Sequence, residues 1–369
     1  MAIQFHSLKV ALVRRITEAA IQIGFKIPSK KKEIFQFDPG QYLTISLTVN
    51  GKKVRRAYSI CSAVHEPIIS ILVKRVDQGL VSNYLNDEVS VGDTFDVLPP
   101  NGHFKLALEE QTKHHYYFFG AGSGITPLMS MIGSILEKEP HTSCHLLYGN
   151  RDEDNILFQK KLDRLQLVYK DRFTLKYLLS QPKKNQRKGV FSFLQSPIVE
   201  WKGGVGRVGE SSIAQFFQST KAENKQIDGY FICGPNPMIE GTYNGLLNLQ
   251  IKKDLIHREY FTAPINADDT IASADRQAID SRVSIQLDGQ KIDLHIQDDT
   301  NIVQALLDKN IEPPYSCLSG TCSTCMAKLV KGDVAMDVSI GLEEDEKENG
   351  YILTCQAHPL TEKVEIHYP

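Results

Sequence analysis

Alternating apolar and polar positions in the first third of the chain predict short antiparallel strands. Residues 42–49, YLTISLTV, alternate in this way, and the Asn50-Gly51 dipeptide that follows is typical of a two-residue hairpin turn. The chain then returns through residues 52–60, KKVRRAYSI, and two more strand patterns follow, IISILVKRV and DTFDVLPP. This series of short strands predicts an antiparallel β-barrel over residues 1–112.

From residue 113 the pattern changes to buried strands that alternate with helices. The apolar run HHYYFF leads into the glycine turn GAGSG, and the helical stretch TPLMSMIGSILEK follows. Pro127 falls in the first turn of that helix, where proline is tolerated. The stretches SCHLLYG, FTLKYLLS and DGYFICG are further candidates for buried strands. The alternation predicts an α/β domain with a doubly wound parallel sheet over residues 113–262.

A third pattern begins after a stretch that has no periodicity. Residues 263–278 are rich in Ala, Asp and Ser, and we interpret them as a flexible linker. Residues 283–287 then alternate, an Asp288-Gly289 turn follows, and a second alternating stretch returns. Residues 279–369 are therefore predicted to form a separate, C-terminal domain.

Composition and charge narrow the classes of function. The chain has 369 residues, which suits two or three domains, and its 41% hydrophobic and 23% charged content is that of a globular protein. A formal net charge of −2, without a long Lys/Arg block, argues against nucleic acid as a partner. The N-terminus lacks the apolar core of a signal peptide, and no apolar run is long enough to span a membrane. We expect a cytoplasmic protein without a membrane partner.

Three of the seven cysteines lie within the stretch CLSGTCSTC, after a helix, NIVQALLDKN, that Thr300 is predicted to cap. The C-x4-C-x2-C spacing, with a distal cysteine in YILTCQAH, is the plant-type ligand pattern of a [2Fe–2S] cluster. A structural zinc site is the alternative, but such sites usually use two separated C-x2-C pairs. The small residues between the cysteines allow backbone N–H groups to point at the cluster sulfurs. The predicted metal ligands are Cys317, Cys322, Cys325 and Cys355.

Two short motifs in the first domain suit a flavin. In RAYSI, the Arg56 guanidinium suits a pyrophosphate, the Tyr58 ring can pack on an isoalloxazine, and the Ser59 hydroxyl can bond near its reactive nitrogen. The stretch GLVS at residues 79–82 adds a glycine turn, backbone N–H groups and a hydroxyl, which suit a phosphate. Each motif alone is also compatible with an ordinary surface strand or turn.

Two motifs in the second domain suit a nucleotide. GSGITP, at residues 122–127, joins a strand to a helix whose N-terminus favours a pyrophosphate, although proline replaces the third glycine of the dinucleotide fingerprint. The CGP motif that begins at Cys233 ends a predicted strand, where doubly wound folds bind their ligands. Cys233 is also compatible with a small buried core thiol.

Taken together, RAYS, GLVS, GSGITP, CGP and EYF occur in the order and approximate spacing of the ferredoxin–NADP reductase superfamily. With its plant-type ferredoxin segment, the whole chain resembles the reductase components of multicomponent oxygenases. The resemblance implies FAD in the barrel, a nicotinamide nucleotide on the parallel sheet and an α+β β-grasp fold around the cluster. It also implies electron flow from NAD(P)H through FAD to the cluster and on to an oxygenase partner. FMN-using relatives share RAYSI, so FAD is favoured by whole-chain similarity.

The resemblance also implies roles for individual residues. Arg56 would bind the flavin phosphates, Tyr58 would pack on the ring, and Ser59 would lie near N5, while Ala57 is a further cofactor-binding residue of the motif. Cys233 would contact the nicotinamide, and Glu259 and Phe261 would close the hydride-transfer site; Tyr58, Ser59, Cys233 and Glu259 are the predicted catalytic residues. The other predicted cofactor-binding residues are Leu72, Val73, Lys74, Gly79, Val81, Ser82, Gly122, Ser123, Gly124, Thr126, Arg151, Gly234 and Pro235.

The residues leave alternatives for the nucleotide and the acceptor. NADP-specific relatives often place Ser-Arg after the third strand, whereas LLSQPKK has Gln181 in the arginine position. Lys183, Lys184 or Arg151 can supply the positive charge for the 2′-phosphate instead, so NADPH is predicted and NADH is the alternative.

The electron acceptor also has alternatives to an oxygenase: a hybrid-cluster protein, a desaturase or a haem protein. A redox sensor, whose cluster regulates binding, is the alternative from another functional class.

Overall fold

The structure is a computed structural model that describes residues 4–185, 198–220, 226–263 and 279–369. The linker predicted over residues 263–278 therefore lies, apart from its first residue, outside the described residues. Within the described ranges the strands form two six-stranded sheets, one five-stranded sheet and two short ribbons. No helix in these ranges is long and apolar enough to cross a membrane.

The N-terminal sheet is antiparallel and closes around one apolar core, which confirms the predicted barrel-like fold. Its strands are β1 (His6–Thr17), β2 (Ala20–Phe25), β3 (Tyr42–Val49), β4 (Lys52–Ser59), β5 (Ile69–Lys74) and β6 (Thr94–Val97), in the order β4-β3-β6-β1-β2-β5. The Asn50-Gly51 turn has φ angles of 51° and 75°, as a tight hairpin between β3 and β4 requires. One helix, α1 (Leu80–Glu88), follows β5; the sequence pattern predicts only strands in this domain.

Strand β3 departs from the predicted half-exposed alternation. Its polar residues Thr44 and Ser46 are 1% and 5% exposed. They are buried because the C-terminal domain covers the outer face of β3, where the Thr44 hydroxyl donates to Ser316 Oγ at 2.8 Å. The outer face of this strand is therefore an interface between domains.

The second sheet is parallel, as predicted, and its order is β12-β9-β8-β7-β13-β14. Its strands are β7 (His115–Ala121), β8 (Ser143–Asn150), β9 (Phe173–Leu179), β12 (Gly204–Val205), β13 (Gly229–Cys233) and β14 (Ile256–Glu259), and β10 (Lys184–Asn185) pairs with β11 (Ile198–Val199) in a ribbon. The helices are α2 (Ile125–Lys138), α3 (Gln159–Val168), α4 (Glu210–Thr220) and α5 (Asn236–Asn248). The strand order reverses beside β7, so the carboxyl ends of β7 and β13 border the crevice in which such folds bind ligands.

The C-terminal domain is a mixed α+β sheet packed on one helix, in the order β16-β15-β21-β17-β19. Its strands are β15 (Ser281–Leu287), β16 (Gln290–Ile296), β17 (Met326–Lys331), β19 (Tyr351–Leu353) and β21 (Lys363–His367); β18 (Val334–Met336) pairs with β20 (Ala357–Pro359), and the helices are α6 (Ile302–Asp308) and α7 (Glu344–Glu348). The predicted cap of α6 is wrong by one residue. Asn301, and not Thr300, accepts the backbone N–H of Gln304, at 2.9 Å.

Candidate functional site

Strand β4 carries the RAYS motif and presents different residues on its two faces, because side chains alternate along a strand. Tyr58 packs against the barrel core, and Arg56 lies on the same face but is exposed. The Arg56 guanidinium donates to the Arg55 carbonyl at 2.7 Å. Burial raises the pKa of Tyr58, so its hydroxyl remains protonated. Ala57 and the buried Ser59 alternate to the other face.

Strand β5 and the start of α1 lie next to this motif along the barrel. Lys74 approaches the glycine loop, since a Cβ atom placed on Gly122 would lie 3.8 Å from the lysine Nζ. Gly79 is the N-cap of α1, and the Ser82 hydroxyl in the first turn accepts the Val76 N–H at 3.1 Å. Three other predicted cofactor-binding residues are buried. Leu72 packs in the core of the second domain, and Val73 and Val81 pack in the barrel core.

The glycine loop after β7 is held by two hydrogen bonds to its own carbonyl groups. The Tyr148 hydroxyl donates to the Gly122 carbonyl and the Thr126 hydroxyl donates to the Ser123 carbonyl, each at 2.9 Å. Gly122 has a φ of 54°, which glycine adopts without strain. The close approach expected of a third glycine is made by Gly124 instead, at the start of α2.

Gly124 lies directly against the CGP motif that follows β13. A Cβ atom on Gly124 would lie only 2.0 Å from the Cys233 carbonyl oxygen. Gly234 makes a similar approach to β7, because its Cβ atom would lie 3.2 Å from the Ala121 backbone nitrogen. The structure therefore brings the two predicted nucleotide motifs into backbone contact at the crevice.

Cys233 and Glu259 are cross-strand partners on β13 and β14. Cys233 is fully buried, and this burial, together with the Glu259 charge, raises the pKa of its thiol well above the usual value. Burial, together with the nearby charge of Cys317, raises the pKa of Glu259 to about 8. Burial thus shifts both groups towards their protonated forms. Phe261, two residues beyond Glu259, is 38% exposed.

The predicted candidates for a 2′-phosphate site differ in their existing partners. Lys183 is paired with the carboxylate of Asp154 at 2.6 Å. Arg151 instead donates to the neutral amide oxygen of Gln181 at 3.0 Å. Among the described residues, no carboxylate forms an ion pair with the Arg151 guanidinium, which lies just beyond the carboxyl end of β8.

The four cysteines of the C-terminal domain converge in one loop region. Cys322 Sγ lies 3.1 Å from Cys317 Sγ, and the Cys355 thiol hydrogen-bonds to both Cys317 and Cys325. Hydrogen bonds from Cys322 and Cys355 lower the pKa of the Cys317 thiol. The Ser319 N–H also points at Cys317 Sγ, at 3.4 Å.

The residues between the cysteines suit the two-iron cluster predicted from their spacing. Gly320 has a φ of 68°, and a Cβ atom there would lie 2.7 Å from Val338. Gly341, which the sequence pattern does not single out, donates its N–H to the Gly320 carbonyl at 2.8 Å and packs on the Cys322 backbone. The C-x4-C-x2-C spacing with a distal fourth cysteine suits four thiolates that divide between two irons, whereas structural zinc sites usually use two separated C-x2-C pairs.

A cavity of about 730 Å³ lies where the three domains meet. It is lined by residues of the barrel, of β14 and the residue after it, and of the cysteine loop region, among them Tyr42, Phe104, Glu259, Tyr260, Cys322 and Gly341. Sequence reasoning missed Tyr42, whose hydroxyl hydrogen-bonds to Thr324 Oγ1 at 2.8 Å and to the Cys322 thiol. In the sequence around Tyr42, the only feature that could have pointed to this role is its position at the start of the predicted strand β3. The cluster ligands and the barrel are thus in direct contact.

Comparison with known proteins agrees with this three-part arrangement. Residues 7–106 match the oxidoreductase FAD-binding domain, residues 118–244 the oxidoreductase NAD-binding domain, and residues 285–360 the 2Fe-2S iron-sulfur cluster binding domain. One subunit of the 1,2-phenylacetyl-CoA epoxidase of Escherichia coli K12 is 33% identical over 99% of this chain and 98% of its own. The chain belongs to the family of oxygenase reductase components.

A second relative belongs to the same family, and one solved structure shares the fold. The ferredoxin reductase component of the 3-ketosteroid-9-alpha-monooxygenase of Rhodococcus rhodochrous is 30% identical, over 98% of this chain and 96% of its own. The structure of phthalate dioxygenase reductase covers 99% of this reductase and 98% of its own chain, with a TM-score of 0.59 and 22% identity. The reductase is therefore a flavin and iron–sulfur oxidoreductase with FAD-, NAD- and [2Fe–2S]-binding domains, and it serves in electron transport.

Proposed function

We propose that this reductase takes electrons from NADPH and delivers them to an oxygenase component of the phenylacetyl-CoA epoxidase type. The observation that carries the proposal is the full-length similarity to the Escherichia coli epoxidase subunit, which spans all three domains. The sequence motifs resemble the same protein, which would place the reductase in phenylacetate catabolism. Its location in the cytoplasm stays a prediction.

The flavin is proposed to lie between the Arg56 face of β4 and the glycine loop. Arg56 supports this placement because it is exposed and its guanidinium, within the described ranges, pairs with a backbone carbonyl and with no carboxylate. Its charge is therefore available to a phosphate. Tyr58 offers a ring held by the barrel core. Ala57 and Ser59 lie on the opposite face of β4, so their roles at the flavin stay predictions. Lys74 adds positive charge, and the N-terminus of α1 after Gly79 adds the positive end of a helix dipole.

The nicotinamide nucleotide is proposed to lie across the crevice formed by Gly122–Gly124 and Cys233–Pro235. Cys233 and Glu259 would border the hydride-transfer site, and the exposed Phe261 would cover it. Arg151 is proposed to bind the 2′-phosphate, since its present partner is a neutral amide. This supports NADPH over NADH.

When bound, FAD accepts the hydride of the nucleotide and returns its electrons one at a time, and the cluster passes them on. The residues of this chain position the three groups: β4 holds the flavin, the two glycine motifs orient the nucleotide, and the four cysteines hold the cluster. The contact of Tyr42 with Cys322 and Thr324 keeps the cluster loop on the barrel.

Reconstitution with defined oxygenases tests this function. The purified reductase is mixed with the oxygenase component of a phenylacetyl-CoA epoxidase, NADPH and phenylacetyl-CoA, and the epoxide product is measured. A parallel reaction contains the oxygenase of a 3-ketosteroid 9α-monooxygenase with its steroid. We expect product in the first reaction at a rate well above the second. Equal rates, or product only with the steroid system, would contradict the proposed acceptor.

A further inference from the structure

Three residues on the outer face of strands β3 and β4 hold the cluster loop, and we define them as the interdomain patch: Tyr42, Thr44 and Arg55. Tyr42 contacts Thr324, the residue before the ligand Cys325. Thr44 contacts Ser316, the residue before the ligand Cys317. Both hydroxyl contacts of the patch therefore reach the loop next to a cluster ligand.

Arg55 makes the most extensive contacts of the patch. Its side chain is 4% exposed, and its guanidinium donates to Glu312 Oε2 at 2.6 Å and to the Pro313 carbonyl at 3.1 Å. The same guanidinium stacks on the Tyr315 ring, 4.1 Å from its centroid, and lies 4.7 Å from the Phe5 centroid. Charge-assisted hydrogen bonds and cation–π contacts of a buried guanidinium are both strong and directional.

Arg55 is also the neighbour of the proposed flavin-binding Arg56. Because side chains alternate along β4, the two arginines point to opposite faces of the strand. The exposed Lys53, which shares the face of Arg55, reaches the same carboxylate of Glu312 at 2.8 Å. One face of β4 thus serves the ferredoxin domain and the other serves the proposed flavin site.

We propose that Arg55 is a positioning residue for electron transfer from flavin to cluster. It holds the segment from Glu312 to Tyr315, immediately before Cys317, on the back of the strand that carries the flavin motif. The cluster loop and the flavin would then lie on opposite sides of the same strand, β4, which fixes their relative position. This inference rests on the proposed placement of the flavin on the Arg56 face.

The test compares four variants of the full-length protein: Arg55→Met, its conservative counterpart Arg55→Lys, Glu312→Gln and Lys53→Met. Arg55→Met keeps the length of the side chain but removes the hydrogen bonds to Glu312 and Pro313. Glu312→Gln removes the charge of the partner from a half-exposed site and is expected to fold normally. Lys53→Met is the matched control, since it loses an exposed ion pair to the same carboxylate, which contributes little.

For Arg55→Met we expect unchanged flavin and iron content, an unchanged KM for NADPH and an unchanged rate of ferricyanide reduction by the flavin. In rapid-mixing experiments the flavin should be reduced normally, while cluster reduction, followed by its absorbance and its electron paramagnetic resonance signal, should slow by about tenfold or more. Amide hydrogen exchange in the peptide over residues 312–317 should become faster, because that segment is released. Glu312→Gln should show the same changes to a smaller degree, Arg55→Lys should restore part of the rate, and Lys53→Met should match the wild type.

Cluster reduction at the wild-type rate in Arg55→Met would overturn the inference, as would unchanged exchange over residues 312–317. Loss of flavin from Arg55→Met would also overturn it, because the arginine would then act on the flavin face. If Arg55→Met fails to fold, a wild-type cluster reduction rate in Glu312→Gln decides against the inference. None of these measurements uses an oxygenase, so an error in the proposed acceptor would not affect them.

Discussion

Replacing Gly124 by alanine tests whether the contact between the two glycine motifs is required for hydride transfer. Gly124 has a φ of −60°, which any residue adopts, so the requirement is one of space. The added Cβ atom would lie 2.0 Å from the Cys233 carbonyl oxygen and 2.6 Å from the Gly234 backbone nitrogen. Normal contact begins at about 3.5 Å, so the two backbones must separate by about 1.5 Å. Neither neighbour is the end of a flexible side chain that could rotate away.

The expected cost follows from this displacement. Overpacking of a rigid contact costs about 1–3 kcal/mol, and for a domain of this size each kcal/mol lowers the thermal midpoint by roughly 2–4 °C. A shift of about 1 Å in the positioning of reactants lowers the rate by about 100-fold. We therefore expect Gly124→Ala to retain its cluster but to lose about 100-fold in kcat/KM for NADPH, measured with ferricyanide as acceptor.

The matched control is Gly241→Ala in α5. No atom lies within 4 Å of a Cβ at Gly241, and alanine in a helix interior is favoured over glycine by about 0.5–1 kcal/mol. This variant should therefore keep wild-type activity and a thermal midpoint at least as high as the wild type. A Gly124→Ala protein with wild-type kcat/KM and midpoint would show that the two motifs do not need this contact.

Four further predictions concern the cofactors and their domains. Arg56→Ala should weaken flavin binding by about 1.5–3 kcal/mol, because a charge-assisted contact is lost, and stoichiometric FAD after dialysis would contradict this. Cys322→Ser should remove the cluster; elemental analysis of the wild type should find iron and acid-labile sulfide, and one zinc without sulfide would disprove the site. Arg151→Ala should raise the KM for NADPH by about tenfold and leave that for NADH unchanged, whereas equal effects would place the 2′-phosphate elsewhere. A fragment that ends near residue 263 should still reduce ferricyanide but lose most cytochrome c reduction, and a fragment as active as the full chain towards cytochrome c would argue against an exit through the cluster.

Features encoded by neighbouring residues were predictable from the sequence. The Asn50-Gly51 and Asp288-Gly289 turns follow from residues that adopt positive φ, and the cysteine spacing alone indicates the cluster ligands. The change from alternating strands to strand–turn–helix units likewise distinguishes the barrel from the parallel sheet. Each of these signals needs only a short window of the chain.

Features that depend on contacts between domains were not predictable in this way. Arg55 and Glu312 are 257 positions apart, and Tyr42 and Thr324 are 282 apart. The alternation of apolar and polar residues in β3 predicts that Thr44 faces solvent. No residue nearby in the chain indicates that another domain covers it. The contact of Gly124 with Cys233 was not predictable either. The glycine loop matches the dinucleotide fingerprint only in part, and the contact becomes evident only when β13 lies beside β7.

The alternation along β4 has a consequence for how this family can vary in evolution. Arg55 and Arg56 are adjacent, yet one serves the ferredoxin domain and the other faces the proposed flavin site. A shift of one residue in the pairing of β4 with β3 would reverse both faces at once, because side-chain direction has a period of two. A shift of two residues would keep each arginine position on its own side. The register of this hairpin is therefore constrained by two partners that lie on opposite sides of one strand, and a change in the length of its turn is tolerated only where the turn itself takes up the extra residue.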